Sequence, residues 1–144
     1  MSSQWEIPKP EPTRNEETTP FWEGTAAGEL RFQECADCGN RQLPAAPACV
    51  ACLSPEVSWK PSAGRGTVFS YTVVHHAFHP AFAAEVPYVV ADVELDEGPI
   101  LTSGIRSVDP AAVTIGMAVE AWFEPMADAP QYVLHWFRPA GGES

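Results

Sequence analysis

A chain of 144 residues is long enough for one domain or two small ones. Its formal net charge of −11 sets 8 Lys and Arg, scattered without a cluster from Lys9 to Arg138, against 19 Asp and Glu, which argues against generic nucleic-acid binding, where phosphate neutralisation dominates affinity. No apolar run approaches a membrane span, and 15 prolines with 10 glycines favour short strands and frequent turns over a helical bundle.

Residues 1–18 carry Pro8, Pro10 and Pro12 among Glu6, Glu11, Glu16 and Glu17, and are expected to form a flexible, extended arm. Trp5 and Ile7 are its only large apolar groups, so the arm reads either as a tail or as a strap laid over a partner. The start, Met1 to Glu6, has neither a basic region nor an apolar run, so no export signal is read. A cytoplasmic setting with reduced thiols is the expectation. Thr19-Pro20 is a helix start, a capping hydroxyl followed by proline in the first turn, and Gly28 is a natural stop. The implied helix covers about residues 20–27 within a docking unit 19–29, and Gly24 weakens it. So short a helix must dock on something. Phe21 and Trp22 are its anchors, onto the chain's own domain or onto another subunit.

The only four cysteines, Cys35, Cys38, Cys49 and Cys52, follow as C-x2-C-x10-C-x2-C. Each pair is a short turn that aims two thiolates at one point, and two such turns complete a tetrahedral four-sulfur set with no open position. Such a centre holds structure and does no chemistry. Structural zinc is the reading. A rubredoxin-type iron site has the same two knuckles, and two disulfides would need an oxidising compartment. Gly39 lets the first knuckle turn sharply, whereas Leu53 stands at the matching place in the second. Leu30–Glu34 alternates as a strand into the first knuckle, Arg41–Pro44 leads away from it, and Pro47 precedes the second. Residues 30–62 thus read as a zinc ribbon with too few apolar residues to fold without its metal.

Past Trp59-Lys60-Pro61 the character changes, and residues 63–140 read as a five-stranded OB-fold barrel. Thr67–His75 alternates strictly, with Phe69, Tyr71 and Val73 on one face. Tyr88–Leu95 alternates again, with Val89, Ala91, Val93 and Leu95 opposite Asp92 and Glu94. Asp96-Glu97-Gly98-Pro99 is a turn. Ile100–Ile105, Val119–Glu124 and Tyr132–Arg138 complete the set, with one helical turn begun by Asp109-Pro110. Five short strands suit a small Greek-key barrel, and an immunoglobulin-like sandwich wants about seven.

Three histidines, His75, His76 and His79, crowd one strand end and loop. His75 and His76 point to opposite faces there and cannot share one ion without a bend. Together with Phe78 and Phe82 on the loop 76–86 they read as a contact surface for a partner or ligand. Arg65, in Gly64-Arg65-Gly66, is a candidate for touching a phosphate, though the loop is too short for a phosphate cradle. Ser70 and Ser103 lie in strands without a nucleophile elbow, His135 reads as a packed strand residue, and no catalytic residue is assigned.

Phe21-Trp22-Glu23-Gly24, Gly28-Glu29-Leu30, the knuckle Cys35–Gly39, Gly66–Val73 and Pro87–Leu95 together resemble a bacterial and archaeal family, domain of unknown function 35 (DUF35). Its members are acyl-CoA-associated OB-folds with a rubredoxin-like zinc ribbon. The resemblance spans about residues 20–138. It implies a mainly β protein: a short N-terminal helix, a ribbon holding Zn2+, then the barrel. It also implies a non-catalytic accessory subunit in a hetero-oligomer with a thiolase-like enzyme, helping to enclose acyl-CoA for thiolytic or retro-aldol C–C cleavage. Phe21, Trp22, Arg65, His75, His76, Phe78 and Phe82 are then the candidate partner or CoA contacts. Nucleic acid and membrane are not expected partners. A stand-alone acyl-CoA or ligand-binding module and a rubredoxin-like electron carrier are the alternatives.

Overall fold

The structure, a computed structural model, describes residues 15–77, 80, 84–126 and 132–140. Trp5, Ile7, Phe78, His79 and Phe82 lie outside them. No helix among the described residues is long and apolar enough to cross a membrane.

Helix α1 runs Thr19–Ala26, with Pro20 in its first turn. Its cap differs from the expected one. Thr19 does not cap with its hydroxyl. Asn15 starts the turn four residues earlier: its side-chain oxygen accepts from the Thr18 N–H at 3.0 Å, and its carbonyl accepts from the Thr19 N–H at 2.9 Å and the Thr19 hydroxyl at 2.6 Å. Gly28 ends the helix at φ +81°, where a glycine bears no strain. Gly24, weak for a helix, is explained by close approach. A Cβ there would sit 2.8 Å from the Arg31 stem, which crosses the helix so that Arg31 Nη1 donates to the Pro20 carbonyl at 3.2 Å.

The ribbon is a three-stranded antiparallel sheet of β1 (Arg31–Cys35), β2 (Arg41–Gln42) and β3 (Val57–Pro61), in the order β2-β1-β3. The barrel strands are β4 (Arg65–Val74), β5 (Tyr88–Leu95), β6 (Ile100–Ile105), β7 (Ala118–Pro125) and β8 (Val133–Pro139). They close in the order β4-β5-β6-β8-β7. All neighbours are antiparallel except β6 and β8, which run parallel through Gly104↔Trp136 and Ile105↔Phe137. This is the OB-fold.

Val68, Val89, Ala91, Val93, Leu95, Ile105, Val113, Val119 and Phe137 fill the barrel. β5 follows the expected alternation. β4 departs from it, because the pairing steps from Val68↔Val93 to Ser70↔Asp92. Phe69 is the extra residue of a bulge and stands 55% exposed; beyond it Tyr71 and Val73 pair with Ala91 and Val89, where Val73 packs against the core while Tyr71 stays 38% exposed. Strict alternation with one shared face does not hold across the bulge.

Helix α1 packs on β1, β7 and β8 of its own chain. Phe21 is 9% exposed and joins the barrel core, with Trp22 packed beside it. The helix therefore docks on its own domain. A second link joins ribbon and barrel at the β5–β6 turn: Glu97 accepts from the Ser62 hydroxyl and the Ala63 N–H, both at 2.8 Å, and Arg41 Nη1 donates to the Glu97 carbonyl at 3.2 Å.

Candidate metal centre and surrounding contact residues

The two knuckles bring the four thiols together, with all four sulfurs within 4.8 Å of one another. Cys35 Sγ lies 3.7 Å from Cys52 Sγ, and Cys38 Sγ lies 3.5 Å from Cys49 Sγ. A zinc tetrahedron with bonds of about 2.3 Å has sulfur–sulfur edges of about 3.8 Å, so the set fits one ion. Each knuckle closes with the same turn: the Gly39 N–H donates to the Cys35 carbonyl at 2.9 Å, and the Leu53 N–H to the Cys49 carbonyl at 2.8 Å. Gly39 takes φ +79° and Leu53 takes φ +66°. The second knuckle thus keeps the geometry without glycine, and Leu53 bears the left-handed strain. The Ser54 hydroxyl donates to the Asp37 carboxylate, fastening one knuckle to the other.

Electrostatics in the cluster favour a cation. Burial pushes the Cys49 thiol up, but the amides of Cys52 and Ala51 and the neighbouring thiols of Cys38 and Cys52 together outweigh it and pull it down to about 6. The Ser54 amide pulls Cys52 down, whereas the neighbouring thiols and burial together push it up to about 12. Thiols this close do not all ionise against one another, and a divalent ion at their centre removes the conflict.

Sequence reasoning missed what holds the ribbon around this centre. Gln33 and Gln42 are both buried and face each other across β1 and β2, with Gln42 Nε2 donating to Gln33 Oε1 at 2.9 Å. Gln33 exchanges two further bonds of 3.0 Å with the backbone of Ala46, and Gln42 bonds the Ala48 carbonyl and the Val50 N–H. These amides tie the segment carrying the second knuckle to the sheet. Two glutamines in alternating strands look like solvent-facing positions, and only the fold reveals their partners.

The contact candidates lie on different elements. Phe21 is spent inside the chain, its ring 5.5 Å from that of His135, while Trp22 is half-buried and stacks on the same histidine at 6.4 Å. Arg65 is exposed at the start of β4, and His75 and His76 are exposed just past its end. His135 Nδ1 lies 2.8 Å from the Ser103 hydroxyl, and burial lowers its pKa to about 4. It is a neutral packing residue under α1, in keeping with the sequence reading.

A four-thiolate ribbon joined to a closed OB barrel defines a class of zinc-ribbon/OB-fold proteins. Residues 22–58 match the family model of the ChsH2 rubredoxin-like zinc ribbon domain, and residues 59–124 that of the ChsH2 C-terminal OB-fold domain. A DUF35 domain-containing scaffold protein of Methanothermobacter thermautotrophicus is 34% identical over 69% of this chain and 74% of its own length. The chain belongs to the DUF35 family. It is also 42% identical, over 89% of its length, to a Mycobacterium tuberculosis 3-oxo-4,17-pregnadiene-20-carboxyl-CoA hydratase alpha subunit, of which it spans 39%. Among solved structures, a chain of an Ltp2-ChsH2(DUF35) aldolase superposes with a TM-score of 0.80 at 38% identity, covering 90% of this chain and 99% of that one.

Proposed function

We propose that this protein is a non-catalytic accessory subunit that assembles with a thiolase-like enzyme and helps enclose acyl-CoA for C–C cleavage, retro-aldol or thiolytic. The likeness that carries the reading is to the DUF35 chain of the aldolase, because it runs over nearly all of that chain. The relatives named as CoA hydratase alpha subunits add the substrate class. Their hydratase activity is not carried over, since this chain spans only about two fifths of their length. The closed four-sulfur centre agrees with a bracing role, because all its ligand positions belong to the protein. Zinc in a reducing, cytoplasmic setting suits four free thiols.

Within this reading, exposed Arg65, His75 and His76 and half-buried Trp22 are contacts for the partner or the CoA arm, together with Phe78 and Phe82, which lie outside the described residues. Co-expression with a tagged thiolase-like subunit tests it. The expected result is co-elution, about one zinc per chain by elemental analysis, and cleavage of an acyl-CoA substrate by the pair but not by this chain alone. Cleavage by the pure chain, or its absence from the tagged eluate, would overturn the proposal.

A further inference from the structure

Leu53 takes φ +66°, the left-handed place that Gly39 takes at φ +79° in the first knuckle. An L side chain is strained there and glycine is not. Leu53 gains no burial in return, for it stands 79% exposed. Val50, on the same turn, is 67% exposed, and Ala51 and Cys52 between them are exposed as well. From Leu43 to Leu53 no side chain carries a charge, an amide or a hydroxyl group. The turn is an apolar knob on a chain whose net charge is −11.

Charge and area select what covers it. A second copy meets it poorly. Two side chains fall far short of the roughly 800 Å² that each partner gives a stable interface, and the remaining area would set −11 against −11. A membrane surface meets it no better. The charged groups flanking the run are Arg41, already paired with Glu34 at 2.9 Å, and the acidic Asp37 and Glu56, so no basic patch faces anionic headgroups. A concave apolar pocket on a different protein takes the knob without either conflict, and that protein's own surface completes the interface.

Resting on the accessory-subunit reading above, we propose that Leu53 and Val50 are the anchor by which the ribbon enters an apolar pocket of the thiolase-like subunit. Leu53 is then a compromise: the metal turn favours glycine, and the interface requires the side chain.

Removing that side chain should move metal and partner in opposite directions. The zinc-loaded full chain is titrated against the tagged thiolase-like subunit, and zinc loss to a chelator is followed on the same samples. Leu53→Gly is expected to weaken the complex about 10- to 100-fold, the loss of one buried leucine side chain, while zinc leaves no faster than from the wild type. Leu53→Asn tolerates the left-handed turn without the freedom of glycine and is expected to do the same, so the result does not hang on one variant folding. Val50→Asp puts a charge into the pocket and should abolish co-elution with zinc retained. Unchanged affinity in these variants overturns the inference. So does weaker binding that comes with faster zinc loss, which would mark Leu53 as a structural residue of the knuckle. A dimer of the chain alone that Leu53→Asn dissociates would assign the knob to a second copy and overturn it too. Co-elution of the wild-type chain tests the accessory-subunit reading itself: co-elution that the variants leave unaltered sinks this inference alone, and no co-elution sinks both.

Discussion

The ribbon and the barrel are neighbours in one short chain and are held together by different physics. The barrel interior is a continuous apolar cluster around Val68, Val93, Leu95, Val119 and Phe137, all essentially buried. Removal of that apolar surface from water is what holds the five strands together. The ribbon interior is two cysteines, two glutamines and Phe32. It has little apolar surface to remove from water, and so rests on a metal ion and on amide bonds aimed at loop backbone. A segment too small for a core of its own stays folded when directional bonds replace area.

The sharpest way to break this comparison is to remove the ion. Cys35→Ser, or zinc stripped by a chelator, is expected to cost the ribbon most of the roughly 10–16 kcal/mol typical of structural zinc. Limited proteolysis should then cut within residues 36–60 while barrel fragments persist, and the chain should lose its partner. Equal loss of both regions would show that they are one cooperative unit. The converse change, Phe137→Ala, should destabilise the barrel by about 3–5 kcal/mol in denaturant unfolding and leave zinc content unchanged.

Acid probes the barrel by a different route. His135 is neutral in the folded chain, its pKa lowered by burial from 6.5 to about 4. The unfolded chain binds that proton first, so the stability contribution is complete above about pH 6.5 and is lost as pH falls toward 4. The loss is up to about 3 kcal/mol. Thermal unfolding of barrel signals across that range should flatten in His135→Gln.

Smaller effects are expected in the ribbon. Gln33→Leu strips the Gln42 side chain and the Ala46 N–H of their shared acceptor and should cost about 1–3 kcal/mol, read as faster zinc loss to a chelator. Leu53→Gly relieves the left-handed strain of the second knuckle against the added freedom of glycine. It should slow zinc loss by up to about 1 kcal/mol in the barrier.

Much of the fold was legible where local pattern and tertiary structure agree. β5 and β6 occupy the expected residues because alternation and the Gly98 turn mark their limits without help from afar. The four cysteines were readable for the same reason, since their spacing is itself the geometry. The helix cap was not, because Asn15 acts from outside the residues that look like a start. Nor was the bulge at Phe69, where a bulky aromatic takes a position that has no sequence mark. Gln33 and Gln42 carry the appearance of surface strand residues, and Gly104, Trp136 and Arg106 come to pack on one another only when β6 and β8 meet. The glutamine and indole contacts join segments that the chain order keeps apart, whereas the cap and the bulge are local departures from the expected pattern.

The barrel ring is joined at one place by only two parallel residue pairs, Gly104↔Trp136 and Ile105↔Phe137. That seam is the shortest run of ladder in the ring, and it is where the wall would unzip first and its amides exchange soonest with solvent. Strands β7 and β8, by contrast, are laced through seven residue pairs, so the wall has one weak latch.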